Sequence, residues 1–180
     1  MLPTIPTPRL RLRRLMPADV TALHAVFGDP EACRFLSRPP LRDLADAESL
    51  LAEIEAHAAA GTLFQGGIAL RGTDEVIGTF TLANLTLEHR RAEVGYAIAR
   101  AQWGRGFMGE VMPAMVRHAF VTLDLHRLEA DVDPRNGASI HVLERAGFRR
   151  EGHMRERYHV NGEVQDSFMY GLLRREWGER

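Results

Sequence analysis

Residues 103–110, Trp103-Gly104-Arg105-Gly106-Phe107-Met108-Gly109-Glu110, set three glycines between an alternating apolar stretch and a stretch of helical period. That arrangement demands a strand, a tight turn and a helix in succession. At a helix start the backbone N–H groups lack intrahelical partners and carry the positive end of the helix dipole. Glycines let a phosphate come close to such a backbone. The segment reads as a seat for a phosphorylated ligand, or as a tight turn that holds nothing.

Read literally, 104–109 is also the GxGxxG of dinucleotide-binding folds, with Glu129 near the place of that motif's acidic residue, about 20 residues further on. The context argues against it. A dinucleotide fold begins with the motif directly off a buried parallel strand and continues with further βα units. Here the motif lies past the midpoint, behind apparent antiparallel hairpins, and polar Arg100 and Gln102 separate strand from glycines.

Composition narrows the chemistry. The 180 residues suit one domain. All 23 basic residues are arginine, so a Schiff-base lysine or a P-loop lysine is excluded. A net charge of -1 with no single-sign run recommends neither nucleic acid nor an anionic membrane. Cys33 is the lone cysteine, which excludes an internal disulfide and a thiolate metal cluster and fits a reducing compartment. The 8 histidines show no HExxH and no helix-face pairing, so no metal is expected. No apolar run at the start is long enough for a signal peptide or a membrane span, and a cytoplasmic protein is expected.

Along the chain, RLRLRRL (9–15) alternates as a half-buried strand. Pro17 opens a helix with Val20, Leu23, Val26 and Phe27 on its apolar face, ended by Gly28 and Pro30. CRFLSRPPL (33–41) is irregular. A second helix spans 43–60, with Leu44, Ala47, Leu51, Ile54 and Ala58 inward and Gly61 as its stop. Strands follow at 64–70, 76–87 and 91–99. A helix then runs from the glycine turn to about Leu123, and Pro113 predicts a bend in it. A strand at 127–133, a helix at 137–146 ending at Gly147, and strands at 148–160 and 164–173 joined by Asn161-Gly162 complete the order βααβββαβαββ. The sheet is therefore mixed, and the class is α/β with helices flanking the sheet.

Four segments in order resemble the GNAT acetyltransferase superfamily, and within it the group that acetylates N-termini of ribosomal proteins. They are AEVGYAI (92–98), the 103–108 loop, DPRNGAS (133–139) with LERAGF (143–148), and YHVNGEVQDSFMYGLL (158–173). The resemblance covers essentially the whole chain. It implies the GNAT acyl-CoA N-acyltransferase fold with a mostly antiparallel sheet, and acetyl-CoA as co-substrate. It implies that Trp103, Gly104, Arg105, Gly106, Phe107, Met108 and Gly109 hold the CoA pyrophosphate through their amides, that main-chain groups of Tyr96 and Ile98 pair with pantetheine, and that Asn136 and Ser139 meet the CoA arm. Trp103 stands where the superfamily has Arg or Gln, and Met108 where Gly or Ala is usual. The resemblance implies a primary-amine acceptor, first the N-terminal α-amine of a protein such as a ribosomal protein, with a small-molecule amine as the alternative. A silent acyl-CoA-binding module is the reading from another class, and homodimerisation is compatible with the group.

Acyl transfer to an amine needs a base, an oxyanion donor and an acid. Glu93, Glu129 and Asp131 are candidate bases, each of which also reads as a solvated strand-face carboxylate. Leu143 stands where many superfamily members have a tyrosine acid, leaving Ser139 and Tyr158 as hydroxyl candidates. Ser139 also reads as a helix first-turn residue, and Tyr158 as a core aromatic.

Overall fold

The computed structural model describes residues 3–160 and 162–178, so Asn161 of the expected final turn lies outside the described residues. The strands are β1 Ile5–Pro6, β2 Leu10–Arg13, β3 Phe64–Leu70, β4 Val76–Thr86, β5 Arg91–Ile98, β6 Arg127–Val132, β7 Arg149–Val160 and β8 Glu163–Leu173. They form one 8-stranded sheet in the order β1-β2-β3-β4-β5-β6-β8-β7. Only β5 and β6 pair in parallel; the other neighbours are antiparallel. The mixed, mostly antiparallel sheet is the one expected.

The helices are α1 Val20–Phe27, α2 Pro30–Cys33, α3 Leu44–Ala60, α4 Met108–Arg117, α5 Gly137–Ala146 and α6 Arg174–Gly178. Alternation along the strands sends side chains to two cores. On one face Leu23, Val26, Leu51 and Ile54 from α1 and α3 cover Ala69 and Val76. On the other, Val111, Met112, Met115 and Leu143 from α4 and α5 cover Phe80, Leu82, Val94 and Leu128.

Three elements escape the sequence pattern because each is too short for a period to show. β1 pairs Ile5 with Leu12. α2 is one turn capped by Asp29, whose carboxylate accepts from Glu31 N–H at 2.8 Å. α6 follows β8 directly. The α3 stripe also differs: Ala47, Leu50, Leu51 and Ile54 are buried, while Leu44 and Ala58 are exposed. The helix overhangs its packing partners at both ends. α4 runs through Pro113 without a break and changes to a wider π-turn at His118–Thr122.

Two irregularities place site residues. Between Ala83 and Thr86 the β4–β5 register slips, and Asn84 takes a left-handed φ of 50°. In β7 the register passes from Met154↔Ser167 to Tyr158↔Gln165, so Arg155, Glu156 and Arg157 loop out opposite Asp166. Such bulges re-aim side chains.

Gly78 of β4 faces Ile98 of β5, and a Cβ there would stand 2.5 Å from the Ala97 carbonyl oxygen and 2.6 Å from Ile98 Cδ1. The obstructing atom is backbone and cannot swing away. Gly78→Ala is expected to lower unfolding free energy by about 1–3 kcal/mol, read as a lower urea midpoint at unchanged m-value.

Candidate active site

Strands β5 and β6 pair at Arg91↔Arg127, Ala92↔Leu128 and Glu93↔Glu129, and then part. The Ala99 N–H donates to the Ile77 carbonyl at 2.9 Å, on the β4 side. By alternation the main-chain groups of Val94, Tyr96 and Ile98 face the gap left by β6. The Ile98 carbonyl is already taken, since Trp103 Nε1–H donates to it at 2.7 Å. Ile98 thus faces the gap with a free N–H and a carbonyl that already accepts one hydrogen bond. Tyr96 faces the gap with both groups. Its phenol donates to the Ser139 carbonyl at 3.2 Å and ties β5 to α5; burial pushes that phenol up to about 12.

At the end of β5 the chain makes a turn at Arg100–Gln102 and enters the glycine loop. Gly104 and Gly106 have φ of 73° and 72°, conformations that favour glycine. Among the described residues, the N–H groups of Gly104, Arg105, Gly106, Phe107 and Met108 have no protein partner. The Gly109 N–H, expected to join them, instead donates to the Gly106 carbonyl at 3.1 Å. Gly109 serves by leaving its outer side open, with nothing within 4 Å of a Cβ built there. Phe107 is buried and Met108 packs on the same core, so each leaves only its backbone facing out of the loop. Trp103 is 47% exposed at the loop's edge. A row of free amides at the start of a helix is an anion site.

Past the gap lies a cleft of about 190 Å³ that brings together Glu93, Tyr96, Asp131, Asn136, Ser139 and Tyr158. Phe35 and Leu36, from the segment after α2, and Gln165 and Asp166 of β8 close its outer side. Burial pushes the Glu93 carboxyl up, against a stabilising Asn84 Nδ2–H donated to Oε2 at 3.0 Å, while Asp131 adds to the rise. Glu129, another candidate base, is committed: Arg91 Nη1 lies at 2.7 Å and Arg127 Nε at 2.8 Å.

Asp131 is committed too. It accepts from Arg157 Nε at 2.8 Å, from the Tyr158 hydroxyl at 2.9 Å, and from the Ser167 hydroxyl. Burial and then that carboxylate hold the Tyr158 phenol up, so Tyr158 reaches the cleft protonated, with its O–H donating to Asp131. Asn136 Oδ1 caps α5 by accepting the Ser139 N–H at 3.1 Å. Asn136 therefore keeps its Nδ2 hydrogens, and one remaining lone pair on Oδ1, for a ligand. The Ser139 hydroxyl has no partner among the described residues and lies on the cleft wall beside buried Leu143. His141 is exposed. Among the described residues no group of three or more His, Cys, Asp or Glu is placed to hold a metal ion, and no helix is long and apolar enough to cross a membrane.

Sequence reasoning missed Asn84. Its only signal was a polar residue interrupting the apolar alternation of 76–87, and its partner depends on the bulge.

Residues 9–149 match the acetyltransferase (GNAT) domain. An uncharacterised N-acetyltransferase, p20 of Bacillus licheniformis, is 34% identical over 97% of this chain and 98% of its own. The spermidine N(1)-acetyltransferase of Vibrio cholerae is 27% identical over 88% and 89%, and the ribosomal protein uS5-alanine N-acetyltransferase of Escherichia coli 29% over 65% and 61%. Mycobacterium smegmatis RimJ, solved with CoA-disulfide, superposes with a TM-score of 0.85 at 25% identity, over 97% of this chain and 88% of that one.

The Asn84 amide favours the ionised form of Glu93. Asn84→Ala is therefore expected to move the Glu93 titration to higher pH, followed by carboxyl carbon NMR; an unchanged or lower midpoint would contradict the contact. The same burial sets a stability sign. A raised folded-state carboxyl contributes stability below the unfolded carboxylate range and loses it as pH rises through the raised value. Glu93→Gln is thus expected to leave the fold as stable or more stable at neutral pH, measured by urea unfolding.

Proposed function

This chain belongs to the GNAT acetyltransferase family and is an N-acetyltransferase, and from that premise we propose that it moves the acetyl group of acetyl-CoA to the α-amino group of a protein N-terminus in the cytoplasm. The observation that carries the reading is the row of unpartnered amides from Gly104 to Met108 beside the open edge of β5. The amides suit a diphosphate and the strand edge suits an extended arm carrying amides of its own. When bound, acetyl-CoA supplies the acetyl group as an activated thioester.

The chain's own groups supply the rest. Glu93 takes the proton from the incoming ammonium, directly or through one water, and its raised carboxyl makes it a stronger base than an ordinary carboxylate. An N-terminal amine has a pKa of about 8 against about 10.4 for lysine, so at pH 7 about a tenth of it is already neutral. A modest base then suffices. A main-chain N–H of β5 faces the charge that develops on the acyl oxygen. The Ser139 hydroxyl, free of other partners among the described residues, passes its proton to the departing sulfur and regains one from the nitrogen that becomes the amide; Tyr158 fills that role only if Asp131 releases it.

The acceptor assignment draws support from the relative that acetylates alanine of ribosomal protein uS5. A polyamine acceptor is favoured by one observation, the carboxylates of Glu93, Asp131 and Asp166 around the cleft, and by the spermidine-acetylating relative. Thiol release from acetyl-CoA separates the two. Peptides with free N-termini are expected to be turned over, and the same peptides with blocked N-termini are not. Turnover of spermidine alone would replace the N-terminal acceptor. No turnover with either, alongside tight CoA binding, would make the chain a binding module.

Two variants test the machinery. Glu93→Gln is expected to lower kcat/KM about 10²–10⁴-fold, flattening the rise of rate with pH through the Glu93 titration. Gly106→Glu puts a charged side chain into the anion site and forces a left-handed φ of 72° on a non-glycine; calorimetry is expected to show no CoA binding.

A further inference from the structure

The glycine loop does not hold its shape alone. The Arg9 side chain, from the segment between β1 and β2, donates Nη1–H to the Arg105 carbonyl at 3.1 Å. The guanidinium lies 4.7 Å from the centre of the Phe107 ring, and Nη2 stands 3.9 Å from where a Cβ on Gly106 would be. Glu110, in the first turn of α4, holds Arg9 from behind: it pairs with Arg9 Nε and accepts the Arg9 N–H and the Thr7 hydroxyl, each at 3.0 Å. The Arg9–Glu110 contacts span 101 positions of sequence. Burial opposes the ionisation of Glu110, yet the Arg9 and Thr7 hydrogen bonds hold its carboxyl below the usual range.

A trans peptide unit is planar, and its C=O and N–H point in opposite directions. The Arg105 carbonyl and the Gly106 N–H belong to one such unit. Pinning that oxygen on Arg9 fixes the Gly106 hydrogen on the opposite side, away from the guanidinium. We propose that Arg9, oriented by Glu110, is a positioning residue that preorganises the amide row for the diphosphate of coenzyme A. The proposal rests on reading the loop as the diphosphate site. It differs from a mere staple of the N-terminal segment in which ligand it affects. Preorganised donors act on the group they are aimed at and cost no reorganisation when it arrives.

The test compares coenzyme A with pantetheine, which keeps the arm and lacks the diphosphate. In calorimetry Glu110→Gln and Arg9→Leu are expected to raise the Kd for coenzyme A about tenfold, near 1.4 kcal/mol. The Kd for pantetheine, measured by thermal shift, is expected to stay within about twofold, because its contacts lie along β5. Arg9→Lys keeps the charge beside Glu110 but loses the planar fork, and is expected to recover only part of the loss. Equal weakening for both ligands, no weakening for either, or loss of fold in both Glu110→Gln and Arg9→Leu would overturn the proposal. Failure of the wild-type protein to bind coenzyme A would instead overturn the diphosphate reading itself.

Discussion

Backbone N–H groups with no partner in the protein stay aimed together only where the backbone that carries them is held. Here the row runs from Gly104 to Met108, and it adjoins the stretch of β5 that β6 abandons after Glu93. Neither feature would persist if β5 slid or the loop relaxed. β5 is fixed against β4 by continuous pairing from Glu93 to Ile98, with Gly78 leaving room for the Ala97 carbonyl. Tyr96 anchors it to α5 through the Ser139 carbonyl, and Trp103 closes the strand end on Ile98. The opening in the sheet is a rigid gap, and rigidity makes its unpaired groups useful to a ligand.

How much of this was legible in the sequence depended on how local the cause was. The glycine loop was readable because left-handed backbone at Gly104 and Gly106 is a single-residue matter, and because the helix start supplies unpartnered amides by geometry alone. The block order of strands and helices was readable from period. Roles that need two distant residues were not. Asn84 reaches Glu93 only because the β4 register slips, and Asp131 gathers Tyr158 and Arg157 only because β7 bulges opposite Asp166. Asn136 shows the ambiguity that remains within a motif. An asparagine three before a serine reads equally as a ligand contact and as a helix cap, and its oxygen caps α5.

The cleft sorts its acidic groups by what each has for company. Glu129 is paired with two arginines and Asp131 is saturated by three donors, which leaves both poorly placed to accept a further proton. Glu93 has one amide donor, no cation in contact, and enough burial to push its carboxyl up. Neighbouring charge works in the same direction, since Asp131 disfavours a second negative charge nearby and Arg157, largely spent on Asp131, compensates only in part. A group destabilised in its charged form at neutral pH costs the fold something. The arrangement that weakens the protein at Glu93 is the one that makes Glu93 able to take a proton from an amine. The residues that would relieve the cost, a second donor or an arginine in place of Asn84, would also remove the basicity. At the glycine loop, too, the amides that the protein leaves unpartnered are the ones available to a diphosphate.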